Sequence, residues 1–169
     1  YHDYILLCLG ENTYTEKPGD LNDLNLHKLQ LKLAKELSSC GKPIILVLNL
    51  GRPRIISQIE SDMAAIINIY LPGNLGADAL VDIVSGDINP SGKLPYSYPA
   101  FPNAIAPYFH KPSESLDWSQ GAYDYSGKLV QLYPFGYGLS YSKFEYKDIK
   151  IEKDTLNSND TLNLFLTIK

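Results

Sequence analysis

The chain is poor in sulfur: two cysteines, Cys8 and Cys40, and one methionine in 169 residues. Neither cysteine falls in a metal-ligand spacing. Cys8, inside an apolar run, reads as a small buried core residue. A disulfide to Cys40 would join a strand centre to a helix end and is not expected. His2, His27 and His110 are scattered, so no metal site is expected either; His27 is read as pointing to solvent from a helix. A basic block is also missing. With a formal net charge of −4 and a pI near 5.3, nothing argues for nucleic acid or an anionic membrane as partner. No apolar run approaches the ~20 residues of a membrane span. There is no G-x-S-x-G nucleophile elbow, no G-x-x-x-x-G-K-[ST] phosphate loop and no G-x-G-x-x-G fingerprint. Those absences set aside serine-hydrolase, P-loop and dinucleotide chemistry.

What remains is an ordinary globular composition, 44% hydrophobic and 20% charged, with an unusual 13 tyrosines. The length suits one domain with a core, or one domain and part of another. The opening YHDYILL has no initiating Met and no charged n-region, so no signal peptide is read there. LNLFLTIK closes on a strand pattern, and a fragment or processed product is the expectation.

Residues 4–9 form an apolar run ended by Gly10, the pattern of a buried parallel strand. From Asn25 to Ser39 a helix is predicted, with Leu26, Leu29, Leu33 and Leu37 on one face. Asp23 or Asn25 would cap it and Gly41 would end it. Residues 44–50 and 63–70 read as further strands, with a short helix near 56–61 and another over 77–84. This alternation predicts an α/β fold, a mostly parallel sheet flanked by helices. After Gly86 the chain turns Pro-, Ser- and Tyr-rich and reads as a long ordered loop. In the last stretch Ile149 and Ile151, then Leu162, Leu164, Leu166 and Ile168, alternate with other residues. The predicted organisation is therefore an α/β region over 1–142, including the long loop, and the first strands of an all-β sandwich over 143–169.

The chemistry-bearing stretch is GENTYTEKPGDLNDL, residues 10–24. In open α/β sheets, ligands bind beyond the carboxyl ends of the strands, and here that position carries Glu11, Glu16, Asp20 and Asp23. Paired carboxylates suit glycoside hydrolysis, in which one protonates the leaving oxygen and the other acts as nucleophile or base. Asp20 and Asp23 read as loop-bracing or capping groups. Arg52, at the end of the second strand, reads as a structural brace of this loop or of a domain contact.

GENTYTEKPGDLNDL resembles the acid/base loop of the family 3 glycoside hydrolases, the β-glucosidase family. GKPIILVLNLGRPR, YLPGNLGADALVDIVSGDINPSGKLPYSYP, YFHKPSE and YPFGYGLSYSKFEY agree with it in order. The resemblance implies an N-terminal (β/α)8 barrel bearing an Asp nucleophile, absent from this chain. It also implies an α/β sandwich bearing the acid/base, then a fibronectin type III-like domain, begun here at about 143. In the family pattern the acid/base falls on Glu11, with Glu16 as second choice. Tyr14 and Trp118 are weak candidates for sugar contact. The implied function is that of a retaining β-glucosidase-like hydrolase acting on terminal β-D-glycosidic bonds, as in a β-linked oligosaccharide or glucoside. No cofactor is implied, and the implied location is periplasmic or secreted. The alternative is a non-catalytic scaffold or carbohydrate-binding piece, inactive without the barrel.

Overall fold

A computed structural model describes residues 2–104 and 131–169. Strands β1 (Ile5–Gly10), β2 (Ile44–Asn49) and β3 (Ala65–Asn68) form a parallel sheet in the order β1-β2-β3. The register sets Ile5 against Ile44 and Gly10 against Asn49, so both strands end together. β2 lies in the middle and is the most buried element: Ile44, Leu46, Val47 and Leu48 are almost fully withdrawn from solvent. Each such side chain contributes roughly 1.5–3 kcal/mol of burial. Helix α1 (Lys28–Ser38) crosses from β1 to β2, and α2 (Gly76–Ser85) follows β3. Leu7 and Leu9 of β1, Leu46 and Leu48 of β2, and Ala34 of α1 belong to one core cluster. Leu26, Leu50, Ile56 and Ile59 join it from the loops, and Tyr98 from the segment beyond α2. β4 (Tyr98–Pro99) pairs antiparallel with β5 (Gln131–Tyr133), and β6 (Tyr146–Ile151) with β7 (Leu164–Ile168). The expected α/β sandwich, a mostly parallel sheet followed by antiparallel strands, is what the chain forms.

Three local expectations are corrected. Cys8 is exposed, not buried. Leu7 and Leu9 face the core while Leu6 and Cys8 point to the other side of the sheet, which is open among the described residues. The run of apolar residues signals a strand but cannot say that only one face is covered here. In α1 the helix starts later than predicted, at Lys28, so the face toward the core is Leu31, Ala34 and Leu37, and Leu29 and Leu33 are exposed. Leu26 is buried but lies before the helix, beside the isolated parallel bridge of Asn25 with Ile55. The cap is His27, whose Nδ1 accepts from the Leu29 amide at 3.3 Å. Asp23 does not cap the helix: its carboxylate accepts from both the backbone and side-chain nitrogens of Asn25, at 2.9 and 2.8 Å. Finally, 56–61 is a set of turns ending in a short 3-10 helix, Glu60–Asp62, rather than an α-helix.

The segment after β5 is tied back onto the α/β region. Leu94 and Tyr137 are joined by a backbone bond of 2.8 Å, and Gly136 donates to the Leu94 carbonyl at 2.8 Å. Asn89 accepts from the Tyr141 amide (2.8 Å) and the Ser140 hydroxyl (3.0 Å). His110 and Trp118 lie outside the described residues.

Candidate active site

β1 and β2 end side by side, and their backbones set the course of the acidic loop. A Cβ on Gly10 would stand 2.6 Å from the Asn49 carbonyl oxygen, so the close approach of the two strand ends requires glycine there. The Glu11 amide then donates to that same Asn49 oxygen at 3.2 Å. From α1, the Gln30 side chain grips Gly10 at both polar atoms, accepting from its N–H at 3.0 Å and donating to its carbonyl at 2.9 Å. The turn out of β1 is thus held by β2 and α1 together.

Glu11 points into two arginines from the loop after β2. Its Oε1 is 3.5 Å from Arg52 Nε and 3.6 Å from Arg54 Nε. These are charge contacts longer than a good hydrogen bond. All three side chains are largely buried, Glu11 with 11% of its side-chain surface exposed. Each arginine makes a shorter contact elsewhere. Arg52 Nη1 donates to the Gly19 carbonyl at 2.5 Å, and Arg54 Nη1 to the Asp23 carbonyl at 3.1 Å. Arg54 is held in turn by Tyr98, whose hydroxyl donates to its carbonyl at 2.7 Å. Burial is the main cause that raises the Tyr98 phenol above its ordinary pKa, followed by the neighbouring Tyr96.

Tyr14 is the hub of the acidic loop. The Arg52 guanidinium carbon lies 3.8 Å from its ring centroid. Gly19 also packs so closely on this side chain that a Cβ there would be 2.6 Å from Tyr14 Cδ2. Its ring is therefore committed to the protein on these contacts. Glu16 differs from Glu11 in every respect. It is exposed, it makes no side-chain hydrogen bond or ion pair among the described residues, and its backbone sits at φ 48°, ψ −141°. Positive φ at a non-glycine residue costs of the order of 1–3 kcal/mol and clusters at functional sites. Its carbonyl accepts from the Gly19 amide at 2.9 Å, opening the short 3-10 turn Lys17–Gly19.

Glu11, Tyr14, Gln30, Arg52 and Arg54 line one depression of about 340 Å³ beyond the strand ends. A larger open depression of about 530 Å³ runs along α1 beside Lys28, Lys32 and Lys35, away from these carboxylates. The residues that sequence reasoning missed are Arg54 and Gln30. Arg54 had a signal, since it stands two residues after Arg52 in the same GRPR loop; Gln30 had none. Among the described residues, no group of three His, Cys, Asp or Glu could hold a metal ion.

The site is thus a parallel sheet with carboxylates on the loop beyond its first strand and the arginines of the neighbouring loop set against Glu11. The Glycosyl hydrolase family 3 C-terminal domain model matches residues 1–141. The lysosomal beta glucosidase of Dictyostelium discoideum is 36% identical over 149 residues, 87% of this chain and 17% of that protein. The periplasmic beta-glucosidase of Salmonella typhimurium is 30% identical over 163 residues, 91% of this chain and 21% of that protein. The crystal structure of the β-glucosidase from Listeria innocua in complex with glucose aligns with a TM-score of 0.83 and 32% identity, over 98% of this chain and 24% of that one. The chain belongs to glycosyl hydrolase family 3. It spans less than a quarter of the length of these relatives.

Proposed function

We propose that this chain is the part of a retaining β-glucosidase-like enzyme that supplies the general acid/base, and that Glu16 holds the role ahead of Glu11. This reverses the order that the family pattern suggests. The observation that carries it is the contrast between the two carboxyl groups. Glu11 is the counter-ion of two partly buried guanidinium groups. Its Oε1 is engaged by both arginines and its amide by Asn49, so Glu11 is tied to the strand ends. A carboxyl that must reach a substrate oxygen and then a water is badly placed there. Glu16 has an exposed, unpaired side chain on a backbone held out of its preferred conformation, a state suited to meeting a substrate from a docked domain.

Glu16 would protonate the glycosidic oxygen as the bond to the departing group breaks. It would then take the proton of the water that releases the glycosyl-enzyme intermediate. The nucleophile, in this reading, comes from the (β/α)8 barrel of the full-length protein. Its carboxyl would stand roughly 5–5.5 Å from that of Glu16 in a retaining enzyme. The substrate would be a terminal β-linked glucoside or similar sugar. Its class is supported by the glucose complex of the Listeria relative, and a periplasmic or secreted location by the name of the Salmonella one.

The test is hydrolysis of aryl β-glucosides by the full-length protein and its Glu16→Ala and Glu11→Ala variants, with and without azide. Glu16→Ala is expected to lose about 10²–10⁴-fold in rate on poor leaving groups, and azide to rescue it with formation of a β-glycosyl azide. Azide rescue of Glu11→Ala instead would return the role to Glu11. Wild-type rates in both variants would favour the non-catalytic scaffold.

A further inference from the structure

We infer that Arg52 is a positioning residue for Glu16, an inference that rests on the acid/base reading above. Arg52 comes from the loop after the central strand, yet it holds the acidic loop at both ends of the segment that carries Glu16. On the near side it stacks on Tyr14, two residues before Glu16, with its Cζ 3.8 Å from the ring centroid. On the far side its Nη1 donates to the carbonyl of Gly19, three residues after Glu16. Gly19 also donates its own amide to the Glu16 carbonyl at 2.9 Å. A third contact, Nε to Glu11 at 3.5 Å, ties the same guanidinium to the exit of β1.

The arrangement uses what distinguishes arginine from lysine. Arginine's flat, delocalised cation can cover an aromatic ring while its separate N–H groups point at two other acceptors. An ammonium is a compact, strongly hydrated point charge without this flat fork, and it cannot cover the ring while reaching acceptors set so far apart. Gly19 must be small for the lock to close, because a Cβ would run into Tyr14. With Tyr14 and Gly19 both held on one guanidinium, Thr15 to Pro18 have little freedom. Glu16 is then kept at φ 48°, a conformation it would leave if either end were released. Arg52 thus acts on the reaction through Glu16 and has no part in the proton transfer itself.

The experiment separates positioning from stability by leaving-group chemistry. A misplaced acid matters when the departing oxygen needs a proton, and little when it leaves unaided as 2,4-dinitrophenolate. Arg52→Lys and Tyr14→Leu, each in the full-length protein, are compared with Glu16→Ala on cellobiose and on 2,4-dinitrophenyl β-glucoside, with thermal melting of every variant. The expected result for both is a kcat/KM lowered by about 10–100-fold on cellobiose, the scale of a misplaced catalytic group. On the dinitrophenyl substrate the loss in kcat/KM, which reports only the step that expels the leaving group, is expected to be under about threefold. Equal losses on both substrates, or none on either, overturn the role of Arg52. If Glu16→Ala itself shows no leaving-group dependence, the acid/base reading fails first. If Glu16→Ala shows it and Arg52→Lys does not, only the positioning role fails.

Discussion

The Arg52 guanidinium sits over the Tyr14 ring, its central carbon 3.8 Å from the ring centroid. The opposite end of the tyrosine reaches Gly51: a Cβ placed on that glycine would run into the Tyr14 hydroxyl oxygen and stand 3.2 Å from Leu71 Cδ1. The residue before the arginine is therefore shaped by the ring that the arginine covers. Such a stack is worth about 0.5–2 kcal/mol depending on its desolvation, enough to bias one loop conformation over its neighbours.

That contact predicts a coupling. Gly51→Ala is expected to destabilise the fold by about 1–3 kcal/mol, the usual scale for overpacking, because the ring must move off its site. Removing the hydroxyl with Tyr14→Phe leaves ring carbon as the nearest Tyr14 atom, at 3.2 Å. The double variant is therefore expected to recover part of the loss. Urea denaturation of the two singles and the double closes the cycle. Strict additivity would show that Tyr14 does not fill the space beside Gly51.

Glu11→Gln should be a stability variant before it is an activity variant. The substitution keeps the shape but removes the negative charge that meets both Arg52 and Arg54, whose side chains are 23% and 12% exposed. Loss of one partner from a buried pair costs ~3 kcal/mol or more; part of that is screened here because Arg52 still touches solvent. Glu16→Gln, at an exposed and unpaired site, is expected to leave the urea midpoint within about 0.5 kcal/mol of wild type. Equal stability of the two variants would mean that the Glu11 ion pairs contribute nothing to the fold.

Much of this architecture is legible from sequence, for physical reasons that differ by element. β1 and β2 stand out because apolar runs closed by Gly10 and by Gly51-Arg52-Pro53 admit few other readings. The placing of acid beyond β1 comes from the strand direction alone. The face of α1 is misread from periodicity because Leu26 belongs to the loop before the helix, and including it rotates the predicted stripe onto Leu29 and Leu33. The exposure of Cys8 is hidden because periodicity signals that a strand exists, not how many of its faces are covered. The ordering of Glu11 and Glu16 cannot be read from spacing. Glu11 meets partners that come some forty residues later, and nothing in the composition marks Glu16 as a residue at positive φ, where glycine or asparagine is the usual occupant.

The tyrosine row predicts how the domain meets alkali. Tyr70, Tyr96, Tyr98, Tyr133 and Tyr137 follow one another with ring centroids 4.9–6.4 Å apart. Burial, the largest cause, pushes the Tyr96 phenol up to about 12, and raises Tyr98 and Tyr133 further still. Tyr133 is also raised by its hydrogen bond to Glu60, 2.7 Å long. A phenol whose folded pKa lies above its unfolded value, ~10, stabilises the fold fully below pH ~10. That contribution is lost as the pH climbs through the folded values. The urea midpoint is expected to fall steeply above pH ~10, while absorbance near 295 nm shows a late-titrating group of phenols in the native protein. Tyr98→Phe should remove one of them. Native titration of every tyrosine near pH 10 would sink the prediction.

The strain at Glu16 gives the sharpest separation of fold from function. Glycine adopts φ 48° at no steric cost, whereas Glu16 is held there. Glu16→Gly removes that cost, of the order of 1–3 kcal/mol, but adds backbone freedom to the unfolded chain, worth about 0.4–1 kcal/mol in the other direction. The side chain itself contributes no contact to the fold among the described residues. The net expectation is a variant at least as stable as wild type, by up to ~2 kcal/mol, that has lost the acid/base and responds to azide. Glu16→Ala keeps the Cβ and therefore keeps the strain, so its melting temperature should lie below that of Glu16→Gly. A glycine variant less stable than the alanine one would mean that the loop does not hold residue 16 at positive φ.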